Sequence, residues 1–266
     1  MSRAPALFIS HGSPMFSVEP GTLGPALKTL GDSLTGLKGI VIVSPHWQTL
    51  GPVRVSASPA PETIHDFGGF PEALYALRYP APGDPALAAR ITSLLNTAGI
   101  PAVGDPSRGL DHGAWVPMRY LKPEADVPVV QVSLPHDATP ASAFRLGAAL
   151  APLRDDDILV IGSGSLTHNL MEVFRARPDD GAYAQAFADW VTDAVARDDV
   201  DALLEYRSRV PDAARAHPTE EHFLTLLVAR GAAAGPGRLV HGGMTYGILS
   251  MDSFAWDTDS GAHAKQ

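Results

Sequence analysis

The chain contains no cysteine. That absence removes disulfides, thiolate metal sites and a cysteine nucleophile together, so any metal site has to be built from histidine and carboxylate. Charge is scarce as well. Asp, Glu, Lys and Arg make up 18% of the 266 residues, and the formal net charge is -9. An acidic chain with so few cations offers no footprint for nucleic acid or an anionic membrane surface. Long apolar runs are missing too: nothing approaches the roughly 20 residues of a membrane span. The apolar stretch ahead of His11 is about five residues, too short for the core of a signal peptide. We therefore expect a soluble, cytoplasmic protein whose partner is a small molecule, with homo-oligomerisation left open. Phosphate-binding and hydrolase signatures are likewise absent. There is no G-x-x-x-x-G-K-[ST], no G-x-G-x-x-G and no H-E-x-x-H, and "GSGSL" at 162–166 lacks the G-x-S-x-G spacing of a nucleophile elbow.

What is present is enough apolar residue, 45% of the chain, to bury one large core. The 24 prolines and 25 glycines are scattered, so no linker or repeat divides the chain. A single domain over 1–266 is expected, with only "DSGAHAKQ" (259–266) reading as a loose tail. Four short runs rich in β-branched residues read as buried parallel strands: "ALFIS" (6–10), "GIVIVS" (39–44), "VPVVQVSL" (127–134) and "DILVIGSG" (157–164). Helical patterns occupy 83–99, 141–153 and 182–199. The β-then-α rhythm implies an α/β fold with a mostly parallel central sheet covered by helices on both faces.

Each of the four runs is followed within a few residues by a histidine: His11, His46, His136 and His168. One such histidine is ordinarily a hydrogen-bonded loop residue. Several at the carboxyl ends of parallel strands indicate a site, because open α/β sheets bind ligands there. His136, in "LPHDA", is the one that most resembles a simple turn residue. Two more lie in "RAHPTEEHFLTLLVARG". Pro218 fits the first helical position and Gly231 the helix end, so His222 falls in the first turns of a helix. Spaced five apart, His217 and His222 do not share a helical face, so one of the two is peripheral. Finally, "TIHDFGGFPEALYALRYPAPGDP" (63–85) and "GLDHGAWVPMRYL" (109–121) each set a histidine beside an aspartate, near glycine and aromatic residues. Such a mix suits either a loop lining a pocket for a flat ligand or a turn closed by an Asp–His hydrogen bond. His65 and His112 are therefore candidates for substrate contact.

Taken in order, "FISHGSPM", "VIVSPHWQT", "TIHDFGGFP", "YPAPG", "LDHGAWVPM", "GSGSLTHNL" and "HPTEEHFLTLL" resemble the class III extradiol ring-cleavage dioxygenases. The likeness is to the DOPA 4,5-dioxygenase-like branch with a LigB-type catalytic fold, over about residues 5–252. The resemblance implies a non-haem Fe(II) enzyme that uses O2 to open a catechol ring beside its two hydroxyls. Carried onto this sequence, it implies His11, His46 and His222 as metal ligands, with His217 a weaker alternative to His222. It also implies His168 as the acid–base residue, His112 as a catalytic residue touching substrate, and His65 on the pocket wall. The broader class offers iron two histidines and a carboxylate, so Glu221 competes with His222. Adjacent helix positions point about 100° apart, and only one of the two can face the ion. Three imidazoles also suit Zn(II), which leaves a three-histidine zinc hydrolase and a non-catalytic metal-binding relative as alternatives.

Overall fold

The computed structural model describes residues 3–173 and 181–257. The proposed tail at 259–266 lies outside them. The strands are β1 (Ala6–Ser10), β2 (Gly39–Thr49), β3 (Val53–Ser56), β4 (Ala102–Asp105), β5 (Val129–Pro135), β6 (Ile158–Gly164), β7 (Arg238–His241), β8 (Met244–Thr245), β9 (Leu249–Ser250) and β10 (Ser253–Trp256). The helices are α1 (Leu23–Ser33), α2 (Glu72–Tyr75), α3 (Pro85–Thr97), α4 (His112–Leu121), α5 (Pro140–Leu150), α6 (Leu170–Val173), α7 (Ala182–Ala196), α8 (Val200–Leu204), α9 (Tyr206–Arg209), α10 (Ala213–Ala216) and α11 (Glu221–Gly231). Among the described residues, no helix is long and apolar enough to cross a membrane.

Eight strands form one sheet in the order β4-β3-β5-β2-β6-β1-β10-β7, and β8 pairs with β9 in a separate ribbon. The centre, β5-β2-β6-β1, is parallel, as the four apolar runs imply. Antiparallel pairs occur where β3 meets β5 and where β10 lies between β1 and β7. The central runs lack polar alternation because both faces are covered. Ala6, Phe8, Val41, Val43, Val130 and Val160 face the core shared with α3, α5, α7 and α11. Leu7, Ile9, Ile40, Ile42, Leu159 and Ile161 face α1 and α4.

Two boundaries differ from the sequence reading for physical reasons. The second strand does not stop at 44 but runs to Thr49, and its register against β5 jumps between Ser44 and Gln48. Pro45 has no N–H to give the ladder, and the resulting bulge carries His46 out of it. The last helix begins at Glu221 rather than at Pro218. The Tyr206 hydroxyl donates to the Glu220 carboxylate at 2.7 Å and Thr219 Oγ1 to Glu221 Oε1 at 3.0 Å, so these side chains hold 218–220 as a bend.

The stretch "GSG" at 162–164 has a packing role. A Cβ on Gly162 would stand 1.9 Å from the carbonyl oxygen of Thr225, and one on Gly164 would stand 2.1 Å from that of His222. Only glycine lets α11 lie this close to β6. Gly162→Ala should therefore lower stability by at least about 2 kcal/mol. A shifted urea midpoint at unchanged m-value measures it.

Candidate metal centre

Three elements deliver the central imidazoles. His11 follows β1 directly, and its backbone N–H donates to Gly164 O at 2.9 Å, extending the parallel ladder by one residue. His46 sits in the β2 bulge. His222 is the second residue of α11, buried against β6. Their ligand-type nitrogens all lie within 4.8 Å of one another, and His11 Nε2 is 3.1 Å from His46 Nε2. An ion that binds nitrogen at about 2.1 Å can reach such a pair at once.

The hydrogen bonds on the far side of each ring decide which nitrogen is free. Ser163 Oγ donates its one proton to the carbonyl of Gly113. At its 3.0 Å contact with His11 Nδ1 it must then accept, so His11 is protonated on Nδ1 and presents a lone pair on Nε2. His222 Nδ1 donates to Glu221 Oε1 at 3.1 Å, while its Nε2 is buried without a partner among the described residues. An orphaned imidazole nitrogen of this kind, aimed at two others, fits a metal ion. The charge states agree. Burial, reinforced by the neighbouring histidines, pushes His11 and His222 well below the ordinary imidazole range. Burial and His112 lower His46 to about 3. All three rings are neutral at pH 7, the form that donates to a metal.

Glu221, the competing ligand, is thus turned to the back of His222. His217 is elsewhere. Its Nε2 donates to Leu166 O at 2.7 Å, and its ring packs against Phe187 and Phe223, where burial lowers it to about 3. His136 lies beyond β5 and lines a separate cleft with Gln48 and Arg207.

Above the three histidines opens a cavity of about 570 Å³, whose wall includes His112 and His168. His168 stacks on His222 with centroids 3.4 Å apart and planes 12° from parallel. Burial, then His112, lowers it to about 4. His112 is the first residue of α4 rather than part of a loop, because Asp111 caps that helix through Ala114 N–H. The His–Asp contact runs between the two stretches and not within either. Asp66 Oδ1 accepts from the backbone N–H of His112 at 2.9 Å, and Oδ2 lies 3.0 Å from its Nδ1. Burial alone would raise the Asp66 carboxyl, but these contacts outweigh it and hold it at about 2. Asp111 is instead fully buried with Arg108 and Gln131. His65 is not in the cavity wall. Its Nε2 faces Leu77 O at 3.1 Å, and its ring packs on Trp115 and Phe67.

Sequence reasoning missed Ser163 as the support of His11, weighing it only as a nucleophile, and missed Gly113. A Cβ on Gly113 would stand 2.3 Å from Ser44 Oγ and 3.2 Å from His11 Cε1, so the glycine of "DHGAW" marks where α4 meets His11 and His46. A small residue within an apolar helix start was the available signal. Removing the hydroxyl in Ser163→Ala leaves His11 Nδ1 without its acceptor and should weaken metal affinity about 10–100-fold. Competition against a chelator reads that loss.

Residues 5–251 match the family described as the catalytic LigB subunit of aromatic ring-opening dioxygenase. The chain is 40% identical over 258 residues to the 4,5-DOPA dioxygenase extradiol of Escherichia coli (strain K12), covering 94% of this chain and 93% of the relative. It is 39% identical over 255 residues to the protein of that description from Beta vulgaris, covering 93% and 94%. The crystal structure of an uncharacterized Escherichia coli K12 protein superposes with a TM-score of 0.77 at 32% identity, covering 96% of this chain and all of that one. With the matched stretch running from before His11 to beyond His222, the chain belongs to the LigB family of aromatic ring-opening dioxygenases.

Proposed function

We propose that this protein is a non-haem Fe(II) extradiol dioxygenase that opens the ring of a catechol with O2. The whole chain, 1–266, would act as one catalytic domain in the cytoplasm, with no nucleic-acid or membrane partner. The observation that carries the reading is the convergence of His11, His46 and His222, with His222 Nε2 buried and unpartnered, beneath a cavity walled by His112 and His168. In it, His11, His46 and His222 would hold the ion. Fe(II) in such a site supplies positive charge that favours ionised catechol hydroxyls and a redox centre at which the catecholate and O2 react. Both atoms of O2 enter the product, and one ring C–C bond beside the hydroxyl-bearing carbons is cleaved.

The remaining work belongs to side chains of this chain. His168, neutral at pH 7 and on the cavity wall, takes the proton of a substrate hydroxyl and returns one later in the cycle. The Asp66 carboxylate, 3.0 Å from Nδ1 of His112, favours a proton on that nitrogen, which would leave the Nε2 lone pair to meet a substrate oxygen. Stacking on His222 orients His168 without tying up its ring nitrogens. Zn(II) fits the same three neutral nitrogens but cannot change oxidation state, so zinc-loaded protein should bind catechol without consuming oxygen.

The test is oxygen uptake by protein reconstituted anaerobically with Fe(II), given catechols, beside a zinc-loaded control. Uptake with a yellow ring-opened product in the iron form alone is expected. Oxygen-independent, zinc-dependent hydrolysis would replace this reading with the zinc hydrolase. His11→Ala, His46→Ala and His222→Ala should lose metal and turnover together. His168→Ala should keep its metal while turnover falls about 10²–10⁴-fold. Metal analysis of each purified variant separates the two classes.

A further inference from the structure

The stack on His222 fixes the tilt of the His168 ring but not its place along the stack, since offset stacking is satisfied over a range of displacements. That place is set by the backbone of residues 165–169, which joins β6 to α6 and is neither helix nor strand. Three successive residues at the end of α10 clasp it. Asn169 Nδ2 donates to Arg215 O at 2.8 Å, the His168 N–H to Ala216 O at 2.8 Å, and His217 Nε2 to Leu166 O at 2.7 Å. On the other flank, Thr167 Oγ1 donates to Ile248 O at 2.7 Å and accepts from the Ser250 N–H at 2.7 Å. In the first of these two grips, His217 is the only side chain that 215–217 contribute. Arg207 Nη1 in turn donates to His217 O at 2.9 Å and ties that segment down.

His217 has no part in the metal centre or in the steps given to His168 and His112, yet it is fully buried among Phe187, Tyr206 and Phe223. Burial keeps the ring neutral, so the proton on Nε2 leaves Nδ1 with a bare lone pair, and Nδ1 has no partner among the described residues. A buried polar atom left unsatisfied is a cost that phenylalanine would avoid in the same aromatic surroundings. What phenylalanine lacks is the N–H on Leu166 O, two residues before the ring that meets substrate.

We propose that His217 is a positioning residue, which through Leu166 holds the 165–169 segment so that His168 keeps its place on His222 and at the cavity. The proposal rests on the acid–base role given to His168 in the extradiol reading. It assigns His217 no contact with ion or substrate.

The test compares His217→Phe, which keeps the ring packing and removes the N–H, with His217→Gln, whose Nε2 can donate from nearly the same point. In Fe(II)-loaded protein, His217→Phe should lower kcat about 10–100-fold while KM stays within about twofold and bound metal equals that of wild type. His217→Gln should recover most of the loss. A histidine that only fills space predicts the reverse order, with Phe tolerated and Gln not. Hydrogen exchange on zinc-loaded protein reads the clasp without turnover. The His168 amide should exchange at least about tenfold faster in His217→Phe than in wild type or His217→Gln. Should His217→Phe not fold, His217→Met takes its place in the comparison, being flexible and equally without a donor. Loss of metal along with kcat overturns the proposal, because it puts His217 in the centre. So does a kcat or an exchange rate left at the wild-type value. If wild type opens no catechol, the dioxygenase reading fails, and the order of exchange rates alone upholds or overturns the clasp by His217.

Discussion

A helix can carry an imidazole to the edge of a sheet only if its backbone comes close to the strand beside it. In this protein that approach is made by α11 on β6, and it depends on two missing side chains, at Gly162 and Gly164. With them absent, the carbonyl of His222 accepts from Ser165 N–H at 3.3 Å, and the ring that follows is set against the end of β1. The residue between the glycines points to the opposite face, as alternation along a strand requires. There Ser163 supports His11. One three-residue stretch thus determines both how near His222 comes and which nitrogen of His11 is free.

Electrostatically, the centre keeps its carboxylates behind the three converging imidazoles rather than among them. Burial makes His11, His46 and His222 neutral, while Glu221 and Asp66 face the outer nitrogens of His222 and His112. In the proposed enzyme, a doubly charged ion held by three neutral rings retains its full charge, which a doubly ionised catechol balances. A carboxylate in the innermost position would cancel part of that attraction. The arrangement therefore favours a ligand that presents its hydroxyl edge as an anion.

The centre of the sheet was legible in the sequence because β1, β2, β5 and β6 are buried on both faces and so read as unbroken apolar runs. The strands toward the two sides of the sheet were not. "VRVS" of β3 and "RLVH" of β7 are short and partly exposed, and "SFAW" of β10 has no apolar neighbour in the chain to extend it. Local pattern carries too little information for strands whose formation depends on a partner distant in sequence. The histidines were visible as a group for a related reason: each interrupts an apolar context where only function or a turn explains it. What pattern could not supply was pairing. Nothing in "IHDF" and "LDHG" says that Asp66 belongs to His112 rather than to His65, or that Asp111 belongs to Gln131 and Arg108. Those choices are made by the docking of α4 beneath the 63–70 loop. The bend at 218–220 was hidden for the same reason, since Tyr206 and Glu220 are 14 residues apart.

The place of β10 in the sheet bears on how the centre comes into being. The strand that leads into His11 is flanked on one side by β6 and on the other by β10, and Ser10 is fastened through its N–H to Ser253 Oγ at 3.1 Å and through its hydroxyl to Asp252 O at 2.8 Å. β1 is thus completed by β10, the last strand described here. During synthesis His11 has no finished sheet edge to stand on until residues 252–256 have emerged, more than 240 positions later. A centre built on His11 is in this way unfinished until β10 has emerged, and a chain that stops short of it has no completed sheet edge to hold the imidazole.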